Sequence, residues 1–228
     1  MQTVEHITSS KELVLGDKAL KFFSILGILG SLTVVIFNTI VFSQGDYPLY
    51  PQGAVNRAYW FGSMALAIGG LGFYQVYIAL RPAGFYWASP PAFFLAFFMT
   101  LGSAGHGSFI PVMEVDQILT LSLLSETESA LEGLRVELEL HNQVLLFTAM
   151  GSLAIGSIWY SVTVFFKETL YPKWMGFINI FLITMIVFFL PSFVSLPRFF
   201  LKLLEGFGFH LGILSFMGLS LYHLWSVE

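Results

Sequence analysis

Long runs of apolar residues dominate the chain, and short polar segments rich in proline, glycine and aromatic residues separate them. Each run is long enough to cross about 30 Å of hydrocarbon as a helix. The runs predict six membrane-spanning helices, at about residues 20–43, 58–80, 89–111, 142–166, 173–195 and 207–226. We therefore expect an all-α fold, with a tail at 1–19 and a single transmembrane helical bundle at 20–228.

The connection between the third and fourth runs differs from the others because it is long and acidic. Residues 114–140 contain seven acidic residues and one arginine. Their leucines recur on one helical face, at Leu124, Leu131, Leu134 and Leu138. This pattern predicts a separate amphipathic helix that packs over the outer face of the bundle.

Composition supports a membrane protein and narrows the classes of function. Hydrophobic residues make up 56% of the chain and charged residues 11%, against about 25% charged in an average soluble domain. The net charge of −4 offers no basic surface for phosphates, which excludes nucleic acid as a partner. The chain contains no cysteine, which excludes disulfides and thiolate metal sites. The lipid bilayer is the expected partner, and the sequence leaves the oligomeric state open.

Lysine and arginine indicate a weak preference for one orientation in the membrane. Six of them lie on the side of the N-terminal tail and four on the opposite side. Cytoplasmic loops carry an excess of these residues. We therefore expect both termini in the cytoplasm.

Polar side chains gather near the membrane face opposite the N-terminal tail. His106 lies late in the third run among glycines, His141 and Asn142 open the fourth run, and His210 opens the sixth. Because successive spans alternate in direction, these residues meet at one face in either orientation. An unpaired polar side chain is costly in lipid, so we expect a polar pocket around His106.

A lipid or small hydrophobic ligand is the first expectation for this pocket, with His106 orienting its polar head. Candidate ligand-binding residues are His106, Asn38, Asp46, Ser103 and Asn142. A purely structural scaffold is the alternative in which these polar groups only fix helix packing.

An intramembrane hydrolase is the other alternative. The imidazoles of His106, His141 and His210 are suitable zinc ligands that leave a position for water. Asp46 or Glu114 would then act in acid–base catalysis. However, the last run lacks two histidines one helical turn apart, and no G-x-S-x-G nucleophile motif is present.

Three short segments carry a resemblance to a known family. "FYQVYIALRPAG" (73–84), "GHGSFIP" (105–111) and "TLYPKWMGFINIFL" (169–182) resemble an uncharacterised bacterial family of six-span integral membrane proteins. The family motifs correspond here to Asp46, Gln75, Tyr77, His106, Ser108, Phe109, Tyr171 to Met175 and Asn179. The resemblance implies a six-span fold in a bacterial inner membrane and no particular activity. The family has asparagine where this chain has His210, which weakens the zinc hypothesis.

Overall fold

The described residues form a helical protein throughout. The computed structural model describes residues 18–43, 52–120, 125–193 and 198–225. Within these ranges the helices are α1 (Lys18–Ser43), α2 (Gln52–Gly70), α3 (Tyr74–Leu80), α4 (Phe85–Leu119), α5 (Ser125–Phe166), α6 (Ile180–Phe193) and α7 (Arg198–Trp225). Short 3₁₀ helices occupy Leu71–Phe73, Arg81–Ala83 and Lys173–Phe177. No strand occurs among the described residues, and the predicted all-α class is confirmed.

Four segments of the described chain are long and apolar enough to cross a membrane. They are Lys18–Phe37, Asn56–Ala83, Phe85–Leu119 and Ser125–Phe166. They agree with a membrane protein, since an apolar helix of about 20 residues spans the hydrocarbon core. The described part of α6 has only 14 residues, so the described residues do not confirm the predicted count of six spans.

The helices run alternately up and down between two ends of the bundle. We call the end where α4 stops and α5 begins the acidic end, and the end that holds the Arg81–Ala83 turn the hairpin end. Helix α4 packs against α2 and α5, while α1 packs against α2 and α7, and α6 against α7. This order places α4 and α5 side by side along their length.

The acidic connection does not form the separate amphipathic helix that the sequence predicts. Helix α4 has 35 residues and continues beyond Pro111, and α5 has 42 residues and includes the acidic stretch from Ser125 onward. Of the four leucines, Leu124 lies outside the described residues. The remainder continue the helical register of α5 without a break, since Glu, Leu and Arg all favour helix.

Glycine allows α1 to approach its neighbours closely. A Cβ atom on Gly27 would lie 2.6 Å from the Cα of Gly72, and one on Gly30 would lie 2.5 Å from the carbonyl oxygen of Ala65. Small residues are common where helix backbones meet in lipid. The contact lies where the second predicted span changes from α2 to a 3₁₀ turn and then to α3.

The fifth and sixth predicted spans begin at other residues in the structure. Residues Lys173–Phe177 form a 3₁₀ helix, and α6 begins only at Ile180. The Asn179 side chain caps α6 by accepting from the backbone N–H of Leu182 at 2.8 Å, and it donates to Ser161 of α5 at 2.9 Å. This cap stabilises the start of α6, because it pairs one of the first backbone N–H groups of the helix. Helix α7 begins at Arg198, earlier than the predicted residue 207.

Candidate functional site

A polar contact fixes the register of α4 against α5 near the acidic end. The Ser108 hydroxyl donates to the Asn142 side-chain oxygen, and the Asn142 amide donates to the Ser108 carbonyl at 3.4 Å. The helices are antiparallel, so residues before Ser108 lie level with residues after Asn142. His106 is therefore about half a turn, or roughly 3 Å, farther from the acidic end than this contact.

Two histidines from different helices lie together beside this contact. The ring centroids of His106 in α4 and His210 in α7 are 5.8 Å apart, with the rings nearly edge to face at 70°. The Tyr59 ring of α2 lies 5.6 Å from that of His106. His210 is only 6% exposed. The predicted meeting of His106, His210 and Asn142 near one end is thus present.

The backbone sets the tautomer of His106. Its Nδ1 lies 3.2 Å from the Gly102 carbonyl oxygen, one helical turn earlier. A carbonyl only accepts, so Nδ1 carries the hydrogen and donates it. In the neutral imidazole, Nε2 is then the nitrogen with a lone pair.

A cavity of about 460 Å³ lies between α4 and α5 and reaches His210 of α7. Its walls are mostly apolar, and its polar side chains cluster toward the acidic end. The lining residues are Leu66, Phe98, Met99, Leu101, Gly102, Gly105, His106, Phe109, Glu139, Asn142, Gln143, Leu145, Leu146, Ala149, Met150 and His210. His106 and Phe98 are eight residues apart, so the apolar part extends roughly 12 Å beyond the histidine at about 1.5 Å per residue.

Missing side chains on α4 account for the open space. Gly105 lines the cavity, and a Cβ atom there would meet no other atom within 4 Å. Nearer the hairpin end the same helices touch closely, since a Cβ on Gly156 would lie 3.1 Å from Leu95 Cγ. The helices are joined at Ser108 and Asn142 and again at Gly156, and the cavity lies between these two contacts.

Three charged groups at the acidic end form an ion-pair network centred on Arg135. Arg135 donates to Asp116 of α4 and lies 3.0 Å from Glu139, which lines the cavity. Glu114 accepts from the Asn56 amide of α2 at 2.9 Å. These contacts connect α2, α4 and α5 above the histidine pair. They also engage Glu114, the acid that the hydrolase hypothesis would use in catalysis.

The other predicted ligand-binding residues have different positions. Ser103 does not line the cavity, and its carbonyl accepts from Ser63 of α2 at 2.6 Å. Asp46 and the side chain of Asn38 lie outside the described residues. Sequence reasoning missed Glu139 and Gln143, which line the cavity. The signal was available for Glu139, because it lies three residues before Asn142 and therefore on the same face of α5.

The predicted zinc ligands do not all come together. His106 and His210 are neighbours, whereas His141 is exposed on α5 and does not line the cavity. In the part of the chain that the structure describes, no group of three histidine, aspartate or glutamate side chains is arranged to hold a metal ion. The zinc site stays a prediction with two of its three histidines together.

Comparison with protein-family models, curated proteins and solved structures finds no match to this chain. The resemblance carried by segments 73–84, 105–111 and 169–182 therefore stays a prediction.

Proposed function

We propose that this chain is a six-span protein of a bacterial inner membrane that binds a lipid or lipid-like amphiphile in the cavity between α4 and α5. The single observation that carries the proposal is the polarity of the cavity walls. Histidine, asparagine, glutamine and glutamate side chains cluster toward the acidic end, and leucine, methionine and phenylalanine line the rest. An amphiphile has the same division between a polar head and an apolar chain.

The size of the cavity suits one hydrocarbon chain. Its volume of about 460 Å³ lies within the range of roughly 300–1,000 Å³ that is typical of small-molecule sites. At about 30 Å³ for a water-sized group, it holds about fifteen such groups. That number favours a single chain with a small head over a lipid with two long chains.

The cavity is also accessible from the side of the bundle. Three of its lining residues are exposed on the outer surface: Phe109 at 38%, Leu146 at 59%, and the polar Gln143. Phe109 and Leu146 are apolar, so the part of the opening that they border faces hydrocarbon once the bundle is in a membrane. A ligand dissolved in the bilayer can enter there without crossing water.

Photo-crosslinking tests the proposal directly. The full chain in lipid nanodiscs is exposed to a twelve-carbon single-chain probe with a photoreactive group near the chain end, and labelled residues are mapped by mass spectrometry. Labels are expected on Met99, Leu145 and Met150, which line the apolar part, and unlabelled probe should compete them away. Labels spread over the outer apolar surface, such as Phe147 and Ile158, without competition would contradict a specific site.

We place the hairpin end in the cytoplasm. Two lysines there lie over tryptophan rings, with Lys21 at 5.7 Å from the Trp225 centroid and Lys167 at 4.5 Å from that of Trp87. Basic and aromatic residues of this kind are typical of a cytoplasmic membrane boundary. The chain has no cysteine, so Lys167→Cys gives a unique thiol. We expect an impermeant maleimide to label it in inside-out vesicles and not in intact cells; the reverse would overturn the orientation.

An intramembrane hydrolase is the second candidate, because His106 and His210 lie side by side in the cavity. Imidazole is a ligand that zinc accepts, and these two histidines would supply part of the site. The measurement is the zinc content of the purified protein after loading, with the His106→Ala and His210→Ala variants beside it. Stoichiometric zinc that both substitutions abolish would favour the hydrolase. A well-folded protein that binds no zinc would contradict the hydrolase hypothesis.

A further inference from the structure

The polar head of the proposed ligand can be specified further from the hydrogen bonds around the cavity. We propose that the ligand is a neutral single-chain alcohol whose hydroxyl group donates to Nε2 of His106. This inference rests on the proposed ligand-binding function and identifies the chemical class of the ligand.

His106 offers an acceptor and not a donor. Its Nδ1–H is used by the Gly102 carbonyl at 3.2 Å, which leaves the Nε2 lone pair of the neutral ring. Among the described residues, none forms a hydrogen bond with Nε2. A ligand that brings an O–H group satisfies this nitrogen, whereas a ligand with only acceptor atoms does not.

Two polar groups beside His106 are already engaged. The Asn142 side chain both accepts from and donates to Ser108, and Glu139 lies 3.0 Å from Arg135. Arg135 also donates to Asp116. These pairs fix the surroundings of His106, whose Nε2 faces no such partner among the described residues.

Charge disfavours an ionic head of either sign. No lysine or arginine is among the described residues that line the cavity, so a carboxylate or phosphate would find no cation beside it. An ammonium head would find only Glu139, which is paired with Arg135. Moving an unpaired charge from water into such a site is costly, whereas a hydroxyl needs only one good partner. A neutral alcohol therefore fits better than a fatty acid, a phospholipid or a long-chain amine.

The test is competition with four twelve-carbon probes that differ in the terminal group. Dodecanol, dodecanoate, dodecylamine and dodecane compete with a photoreactive dodecanol analogue for the full chain in nanodiscs. One hydrogen bond gives about a tenfold advantage in affinity, so dodecanol should compete about tenfold better than dodecane and better than either ionic probe. His106→Phe should reduce the dodecanol affinity to that of dodecane. The matched control is His141→Phe, because His141 is exposed and outside the cavity, and it should change neither affinity.

Each other outcome overturns a defined part of the account. Equal competition by all four probes, or best competition by dodecanoate or dodecylamine, would contradict an alcohol as the ligand. The proposed function of the cavity in binding an amphiphile would be unaffected. Competition by none of them would overturn the proposed function as well. The comparison of the four probes on the unmodified protein remains decisive even when His106→Phe fails to fold.

Discussion

Filling the cavity from one glycine should weaken ligand binding without harming the fold. In Gly105→Leu, the new side chain begins where a Cβ atom meets nothing within 4 Å, and it extends into the space that the ligand would occupy. Its four carbons displace about four methylene groups of the ligand chain. Because the ligand comes from hydrocarbon, the penalty is steric: four extra carbons in an occupied cavity force the ligand or the walls to shift, which weakens binding by about 1–3 kcal/mol, roughly fivefold to a hundredfold in Kd.

The stability of this variant should move in the opposite direction. Leucine is a better helix former than glycine by close to 1 kcal/mol in a helix interior, and its Cβ atom would meet no other atom within 4 Å. We therefore expect an equal or higher Tm, measured by intrinsic fluorescence, together with the weaker binding measured by competition with the photoreactive probe.

A matched glycine in the neighbouring helix provides the control. A Cβ atom on Gly151 of α5 also meets nothing within 4 Å, but Gly151 is exposed and does not line the cavity. Gly151→Leu should leave Kd within about twofold of the wild type. Unchanged binding in a well-folded Gly105→Leu, or an equal loss in both variants, would refute the assignment of the cavity as the binding site.

Three further variants, one of them with a matched control, test the helix packing, a buried amide and the ion pairs of the acidic end. Gly30→Ala should lower the free energy of unfolding by about 1–3 kcal/mol, because its Cβ would meet the Ala65 carbonyl oxygen at 2.5 Å. The control is Gly218→Ala, which should not destabilise the protein, because its Cβ would meet nothing within 4 Å. Equal Tm values for the two variants would contradict the close approach at Gly30. Gln75→Met should raise stability by about 1–3 kcal/mol, because among the described residues neither atom of this fully buried amide has a partner. A fall in unfolding free energy would show that the amide is satisfied in the membrane. Arg135→Gln should lower the free energy of unfolding, measured by chemical denaturation, by at most about 1 kcal/mol, because the Arg135 side chain is 41% exposed. A larger decrease would indicate that the acidic end is less accessible to water.

Hydropathy was sufficient to predict the class of fold. Apolar runs report where helices can lie in lipid, and the runs predicted at 20–43 and 142–166 fall inside α1 and α5. Hydropathy did not predict that the acidic stretch is part of α5. The same leucine spacing is expected of a helix that continues α5 and of a separate helix that lies over the bundle. Long-range pairing decides between them, and the pair of Arg135 with Asp116 is separated by 19 residues.

The alternation of spans predicted part of the site and not its walls. It brought His106, His210 and Asn142 toward the same end, because direction reverses at every connection. It could not predict that His141 faces outward or that Ser103 turns toward Ser63, since rotation about a helix axis depends on packing with neighbours. The cavity itself is bordered by glycines of α4. In the sequence these glycines were noted only as neighbours of His106, and their position did not predict a cavity.

The chemical identity of the molecule that accompanies the purified protein tests the central claim most directly. The full chain is isolated in a mild detergent, and bound lipids are extracted and identified by mass spectrometry, in parallel with Gly105→Leu. The account predicts a single-chain alcohol, near one per protein in the wild type and depleted in the variant. The same mixture of bulk membrane lipids from both proteins, with no enriched species, would contradict the binding of a specific ligand.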